Sequence, residues 1–218
     1  MRLIPFALMF LAIPLASCSE PARPSIPART LTSSFHFTFD LPPDWIIISP
    51  TEMAARSTDL SPESIGLPTA DPETLKALVA RAKSGQQEFY LDGRLSSADF
   101  TNNISLQLFE GRNDFSQMTP ADIDTFCKKI PGGAQKTYGA KVAVTDCKLE
   151  EEAGVQFLSY SYKVPSLGIF ILQYEYPFID DKTLVIVGGG RDTQPIYDRL
   201  HTAQREISRG VARYLKAQ

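Results

Sequence analysis

Apolar and polar residues alternate where Phe35, Phe37 and Phe39 are separated by His36 and Thr38. Period-two alternation predicts a strand with one buried face, and it puts His36 opposite the rings, as an ordinary exposed strand residue. Leu41, Pro42, Pro43, Asp44 and Trp45 predict a turn, because the prolines forbid helix, and 46–48 continues as a second apolar strand. The single tryptophan is placed to plug the core at this turn. Further strands are expected at 87–91 and 104–109, and then as an antiparallel run at about 141–149, 155–164, 169–176 and 183–187, with short polar or glycine-containing turns between them.

Helical periodicity interrupts this pattern three times. Asp71 is a cap and Pro72 a first-turn residue for a helix whose inner face is Leu75, Leu78, Val79 and Ala82, ended by Gly85. Thr119, Pro120 and Asp122 form a capping-box start for a second helix with Ile123, Phe126, Cys127 and Ile130 on one face, and Pro131, Gly132 and Gly133 are expected to stop it. The third, from about 193 to 215, carries Ile196, Leu200, Ala203, Ile207, Val211 and Leu215 in one stripe, long enough to cover a sheet face. Between 51 and 70 the chain is rich in Ser, Thr, Pro and Glu with little periodicity. A loop of that length is either a binding loop or a mobile one.

The N-terminal end reads differently. Arg2 precedes an apolar run from Leu3 to Ala16 that is too short to span a bilayer and is interrupted by Pro5 and Pro14. It ends in Leu15, Ala16, Ser17 and Cys18, which resembles the lipobox of bacterial lipoproteins. The resemblance implies removal of residues 1–17 and acylation of Cys18, with palmitate or a similar chain as the membrane anchor. Ser19 in the next position is compatible with transfer to the outer membrane, facing the periplasm. Residues 18–33, with Pro21, Pro24 and Pro27, have the composition of an extended tether. The expected organisation is therefore signal peptide 1–17, lipidated tether 18–33 and one globular domain 34–218.

Cysteine use agrees with an oxidising compartment. With Cys18 consumed by lipid, Cys127 and Cys147 remain as an even pair, either disulfide-bonded or two separate buried thiols. Ala143, Thr145, Cys147 and Leu149 share one side of their strand by simple alternation, which allows Cys147 to face the helix bearing Cys127. Zinc is not expected, because only His36 and His201 could join the cysteines. A formal charge of -3, from 22 Lys+Arg against 25 Asp+Glu, offers no basic patch for nucleic acid.

Candidate chemistry is sparse. Gly188, Gly189 and Gly190 follow a strand and precede a helix, but Thr193 stands where a dinucleotide fingerprint needs its third glycine, so a strand-to-helix turn is expected instead. Two histidines on distant elements define no triad, and His201 is expected at the edge of the last helix's buried stripe. Asp180, Asp181 and Glu150 to Glu152 are read as solvated turn charges. Tyr160, Tyr162, Tyr174 and Tyr176 are the candidate binding surface, either a tyrosine-rich core edge or a recognition platform if their strands bring them to a common face.

The order strand, strand, helix, strand, strand, helix, four strands, long helix, together with Phe35, Phe37, Phe39 and the turn Leu41-Pro42-Pro43-Asp44-Trp45, resembles the PsbP-like fold family. That resemblance implies an α+β domain in which helices sandwich an antiparallel sheet, and a binding or scaffolding role with no catalysis and no cofactor. The expected function is a lipid-anchored cell-envelope accessory or binding protein with a protein partner. A periplasmic inhibitor or immunity protein against a toxin or hydrolase is the alternative, and an enzyme the third.

Overall fold

The computed structural model describes residues 28–55, 72–95 and 101–218. The expected signal peptide, Cys18, most of the tether and the Asp71 cap lie outside the described residues. So does most of the expected loop, whose first residues, however, form a short helix α1 (Pro50–Ala55).

Seven strands make one antiparallel sheet: β3 (Trp45–Ile48), β4 (Gln87–Asp92), β5 (Asn103–Glu110), β6 (Ala143–Glu152), β7 (Val155–Val164), β8 (Ile169–Pro177) and β9 (Lys182–Arg191). Their spatial order is β3-β4-β5-β9-β8-β7-β6. β5 pairs with the last strand, which splits the sheet between two chain-local hairpin arrays. Outside it, β1 (Arg29–Thr32) and β2 (Thr38–Leu41) form a separate hairpin. The chain is thus already paired at Arg29, inside the stretch expected to be tether.

That hairpin corrects the opening strand. Phe35, Phe37, Phe39 and Leu41 are all buried, as alternation requires, but residues 34–36 form the turn between β1 and β2. His36 is exposed there in the left-handed region, at φ 72°. The turn is pinned by the buried Glu88 carboxylate, which accepts from Ser33 Oγ at 2.7 Å, the Ser34 amide at 2.5 Å and Tyr90 OH at 2.8 Å.

Two rows of cross-strand partners define the faces. Phe89, Ser105, Val187, Gln173, Tyr160 and Cys147 lie on one face, and Glu88, Leu106, Ile186, Tyr174, Ser159 and Lys148 on the other. The first face is covered at its β3-β4 end by α2 (Pro72–Lys83), packing Leu75, Val79 and Ala82 on Ile48, Phe89 and Leu91. At its β7-β6 end it is covered by α3 (Pro120–Cys127) and α4 (Ile130–Tyr138), over Leu158, Tyr160, Tyr162 and Ile171. The second face carries α5 (Gln194–Lys216) and the β1-β2 hairpin. The fold is α+β, an antiparallel sheet between helical layers.

The sequence pattern does not predict α4. Pro131 and Gly132 sit in its first turn, where a missing N–H costs nothing, rather than stopping α3. The capping box on α3 is as expected, with the Asp122 amide donating to Thr119 Oγ1 at 3.3 Å and the Thr119 amide to Asp122 Oδ2 at 2.9 Å. Gly188 to Gly190 are also not a turn. They complete β9, and a side chain there would collide with α5: a Cβ on Gly190 would stand 2.5 Å from Leu200 Cδ1, and one on Gly188 2.5 Å from Gln204 Oε1. Gln204, fully buried, donates from Nε2 to the carbonyls of Leu172 and Ile186, fastening α5 to both central strands.

Candidate functional site

α5 lies over β5, β9 and β8, where the second face is apolar. Along the same row the face changes character, from Leu106 and Ile186 through Tyr174 to Ser159 and Lys148. The polar outer strands β7 and β6 therefore extend past the helix, and a cleft of about 320 Å³ opens between them and α5. Its walls are Asp146, Lys148 and Glu150 of β6, Ser159 and Ser161 of β7, and Tyr197, His201 and Arg205 of α5, with Tyr174 among the remaining lining residues.

The charges of the cleft are paired across it. Arg205 Nη1 donates to Glu150 Oε2 at 2.9 Å and Nη2 to Glu152 Oε2 at 3.2 Å. Its guanidinium also stands 5.9 Å from the ring centres of Phe157 and Tyr174. Lys148 Nζ is 2.8 Å from Asp146 and 3.9 Å from Glu150. Glu150 and Glu152 are therefore ion-pair partners of the last helix, a correction to their reading as solvated turn charges. Burial raises the Tyr174 phenol to about 12, against the pull of Arg205. The hydrogen bond to Asp146 raises Lys148 above the usual lysine range.

His201 stacks on Tyr197, rings 5.8 Å apart and 7° from parallel, and Tyr197 packs in turn on Phe170 at 5.2 Å. Burial holds the imidazole below its ordinary pKa, and the Arg205 charge works in the same direction. At neutral pH the ring is uncharged, with one nitrogen to donate and one to accept. Ser161 Oγ lies 2.8 Å from Thr145 Oγ1. Ser159 is 6% exposed, and among the described residues its hydroxyl and the His201 ring form no hydrogen bond within the protein.

The remaining expected sites do not form the cleft's polar walls, although Tyr160 and Tyr174 are among its lining residues. Cys127 and Cys147 are disulfide-bonded, Cα atoms 5.9 Å apart, joining α3 to the edge strand. The pairing register shifts between Val144 and Asp146, so Val144 rather than Thr145 shares the packed face with Cys147 and Leu149. The tyrosines form no common platform. Tyr160 and Tyr162 pack under α3 and α4, Tyr174 and Tyr176 under α5, and all four are less than 9% exposed. Burial lifts the phenols of Tyr160, Tyr162 and Tyr176 well above the ordinary range. Tyr160 OH donates to the buried Glu175 carboxylate at 2.8 Å, while Tyr176 OH and Ser208 Oγ lie 2.5 Å apart.

Trp45 is buried in the core beneath α5, as its place after the turn predicts. Arg199 sits 5.4 Å above its ring and reaches Asp92 at 2.8 Å and Asp44 at 2.9 Å. Beside it a groove of about 500 Å³ is lined by Leu41, Pro42, Arg94, Pro195 and Thr202. A wider hollow of about 580 Å³ lies among the hairpin ends near Arg112, Phe178 and Leu215. The cleft by His201 is the better candidate because it combines a histidine of shifted pKa with inward-facing hydroxyls. Its signal in the sequence is the period-two run Asp146, Lys148, Glu150, Glu152, facing Arg205 on the last helix.

No family model and no curated protein matches the chain. Solved structures similar to it include a cyanobacterial PsbP from Synechocystis, at 13% identity and TM-score 0.48, covering 88% of this chain and 97% of that one. The Ran-binding protein Mog1p of Saccharomyces cerevisiae is similar at 13% identity and TM-score 0.47, covering 86% and 94%. The first bears the name of the family that the Leu41 to Trp45 turn resembles. The α+β class rests on the sheet and its helices described above.

Proposed function

We propose that the chain is a lipid-anchored binding module of the cell envelope that takes its ligand in the cleft between α5 and β6-β7 and performs no chemistry on it. The observation that carries the reading is the state of the cleft's groups. Both cations are engaged by carboxylates, and His201 lies flat on Tyr197 with no hydrogen bond to either serine. A nucleophile and its base need that bond in reach. The envelope placement is supported by the Leu15 to Cys18 sequence and by a disulfide that an oxidising compartment would preserve.

The test has two arms on the full chain. Labelled palmitate should enter the protein and be lost in Cys18→Ser, which should also leave the membrane fraction; label that persists in Cys18→Ser contradicts the anchor. Incubation with esters, phosphates and peptidoglycan fragments should give no turnover. Turnover abolished by His201→Ala would make the cleft an active site.

A further inference from the structure

Resting on the reading of the cleft as a binding site, the chemistry left over inside it narrows the ligand. Lys148 is answered by Asp146 and Glu150, and Arg205 by Glu150 and Glu152. An anion would have to displace a carboxylate from a cation, and a cation the reverse, each breaking a pair already made. Among the described residues, the cleft groups left without an internal hydrogen bond include two neutral ones, the Ser159 hydroxyl, on a residue 6% exposed, and the His201 imidazole. Carboxylate oxygens of Asp146 and Glu150 retain lone pairs for further donors.

These groups recur at a regular spacing. Ser159 and Ser161 project from the same side of β7, about 6.5 Å apart along the strand. Asp146, Lys148 and Glu150 repeat that interval on β6 beside them. Opposite, α5 supplies Tyr197, a ring with a phenolic edge, and His201. The ligand that suits such walls is uncharged and carries many groups that both donate and accept, spaced over a rigid ring with a C–H face to lay on an aromatic side chain. About 320 Å³ accommodates one or two such rings.

We infer that the cleft is a saccharide site, which takes a neutral sugar unit of a glycan by hydrogen bonds from its hydroxyls to Ser159, Ser161 and His201, with its ring against Tyr197. The full chain carrying Cys18→Ser, isotopically labelled, is titrated with tetramers of β-1,4-linked N-acetylglucosamine, β-1,4-linked glucose and α-1,4-linked glucose, and separately with inorganic phosphate. At least one glycan should give saturable amide shifts centred on 159–161 and 197–205. Ser159→Val should weaken that binding at least tenfold, and Ser159→Ala, which leaves packing intact, at least threefold. Phosphate should give no saturable shift there.

If none of the glycans saturates these amides, or phosphate does so equally well, the saccharide assignment is wrong, while palmitate labelling leaves the anchored-module reading standing. Conversely, glycan binding accompanied by new reducing ends that vanish in His201→Ala supports the sugar assignment and overturns the non-catalytic reading.

Discussion

One face of the sheet is covered by a helix of 23 residues together with the β1-β2 hairpin, and the β7-β6 end of the other by helices of 8 and 9 residues tied down by a disulfide. α5 approaches the strands closely because Gly188 and Gly190 leave room for it, and it approaches β2 through its own Gly210, where a Cβ would meet the Thr38 carbonyl at 2.4 Å. It has a continuous apolar stripe and is anchored by Gln204 and Arg199. α3 and α4 are far shorter. Helices so short are marginal alone, so their place depends on capping, on the aromatic packing of Phe126 on Tyr160 and Tyr138 on Tyr162, and on a covalent link. The polar cleft lies beside α5, but its outer wall of Asp146, Lys148 and Glu150 flanks the disulfide-bonded Cys147 on β6.

That contrast can be broken from either side. The largest effect is expected from Arg199→Ala, which strips the guanidinium from a fully buried Asp92 and should cost about 3–5 kcal/mol in urea unfolding. Arg199 pairs with both acids, and these bonds hold its pKa raised although burial alone would lower it, so Arg199→Lys should recover only part of the loss. Cys127→Ala combined with Cys147→Ala should cost about 3 kcal/mol on the loop-entropy estimate, and reduction of the native protein should lower its unfolding free energy by the same amount. Thr119→Ala should cost about 1 kcal/mol by removing the α3 cap.

The smallest effect is a pH dependence at the cleft. His201 is held below its unfolded pKa, so the folded protein binds fewer protons there than the unfolded chain. The groups around it are Arg205 and Asp198 on its own helix and Lys148 and Glu150 on β6. Its contribution is fully present above the ordinary histidine value of about 6.5 and is lost as pH falls through the lower folded value. Unfolding midpoints measured from about pH 7.5 down to about pH 5 should therefore decline slightly in the native chain and less in His201→Gln.

The same contrast explains what was legible in the sequence. The α5 stripe was visible because its apolar residues, from Ile196 to Leu215, fall at helical spacing along the whole helix. The faces of β8 are harder to read, since Ile169 and Ile171 pack on one helical layer while Phe170, Leu172 and Tyr174 pack on the other, and alternation then carries no direction. Tyr160 and Tyr174 consequently looked like candidates for one platform, whereas the pairing of Tyr160 with Gln173 and Tyr174 with Ser159 sends them to opposite sides. The glycines of β9 resembled a turn because their function is to leave space for a helix that contacts them only after folding. Pro131 and Gly132 resembled a stop because a proline at the first turn and a proline after the last turn look alike without the flanking contacts. The cleft is hidden in the sequence for a related reason. Glu150 and Glu152 gain a role only from Arg205, which stands 55 and 53 positions further along the chain.

Hydrogen exchange of the full chain, with and without reductant, measures the division between the layers directly. Reduction should collapse protection in α3 and α4 and at the β6 edge near Cys147, while α5 and the central strands β5, β9 and β8 keep theirs. Loss of protection spreading through α5 and β8 at the same reductant concentration would show the two layers to be one cooperative unit and contradict the account.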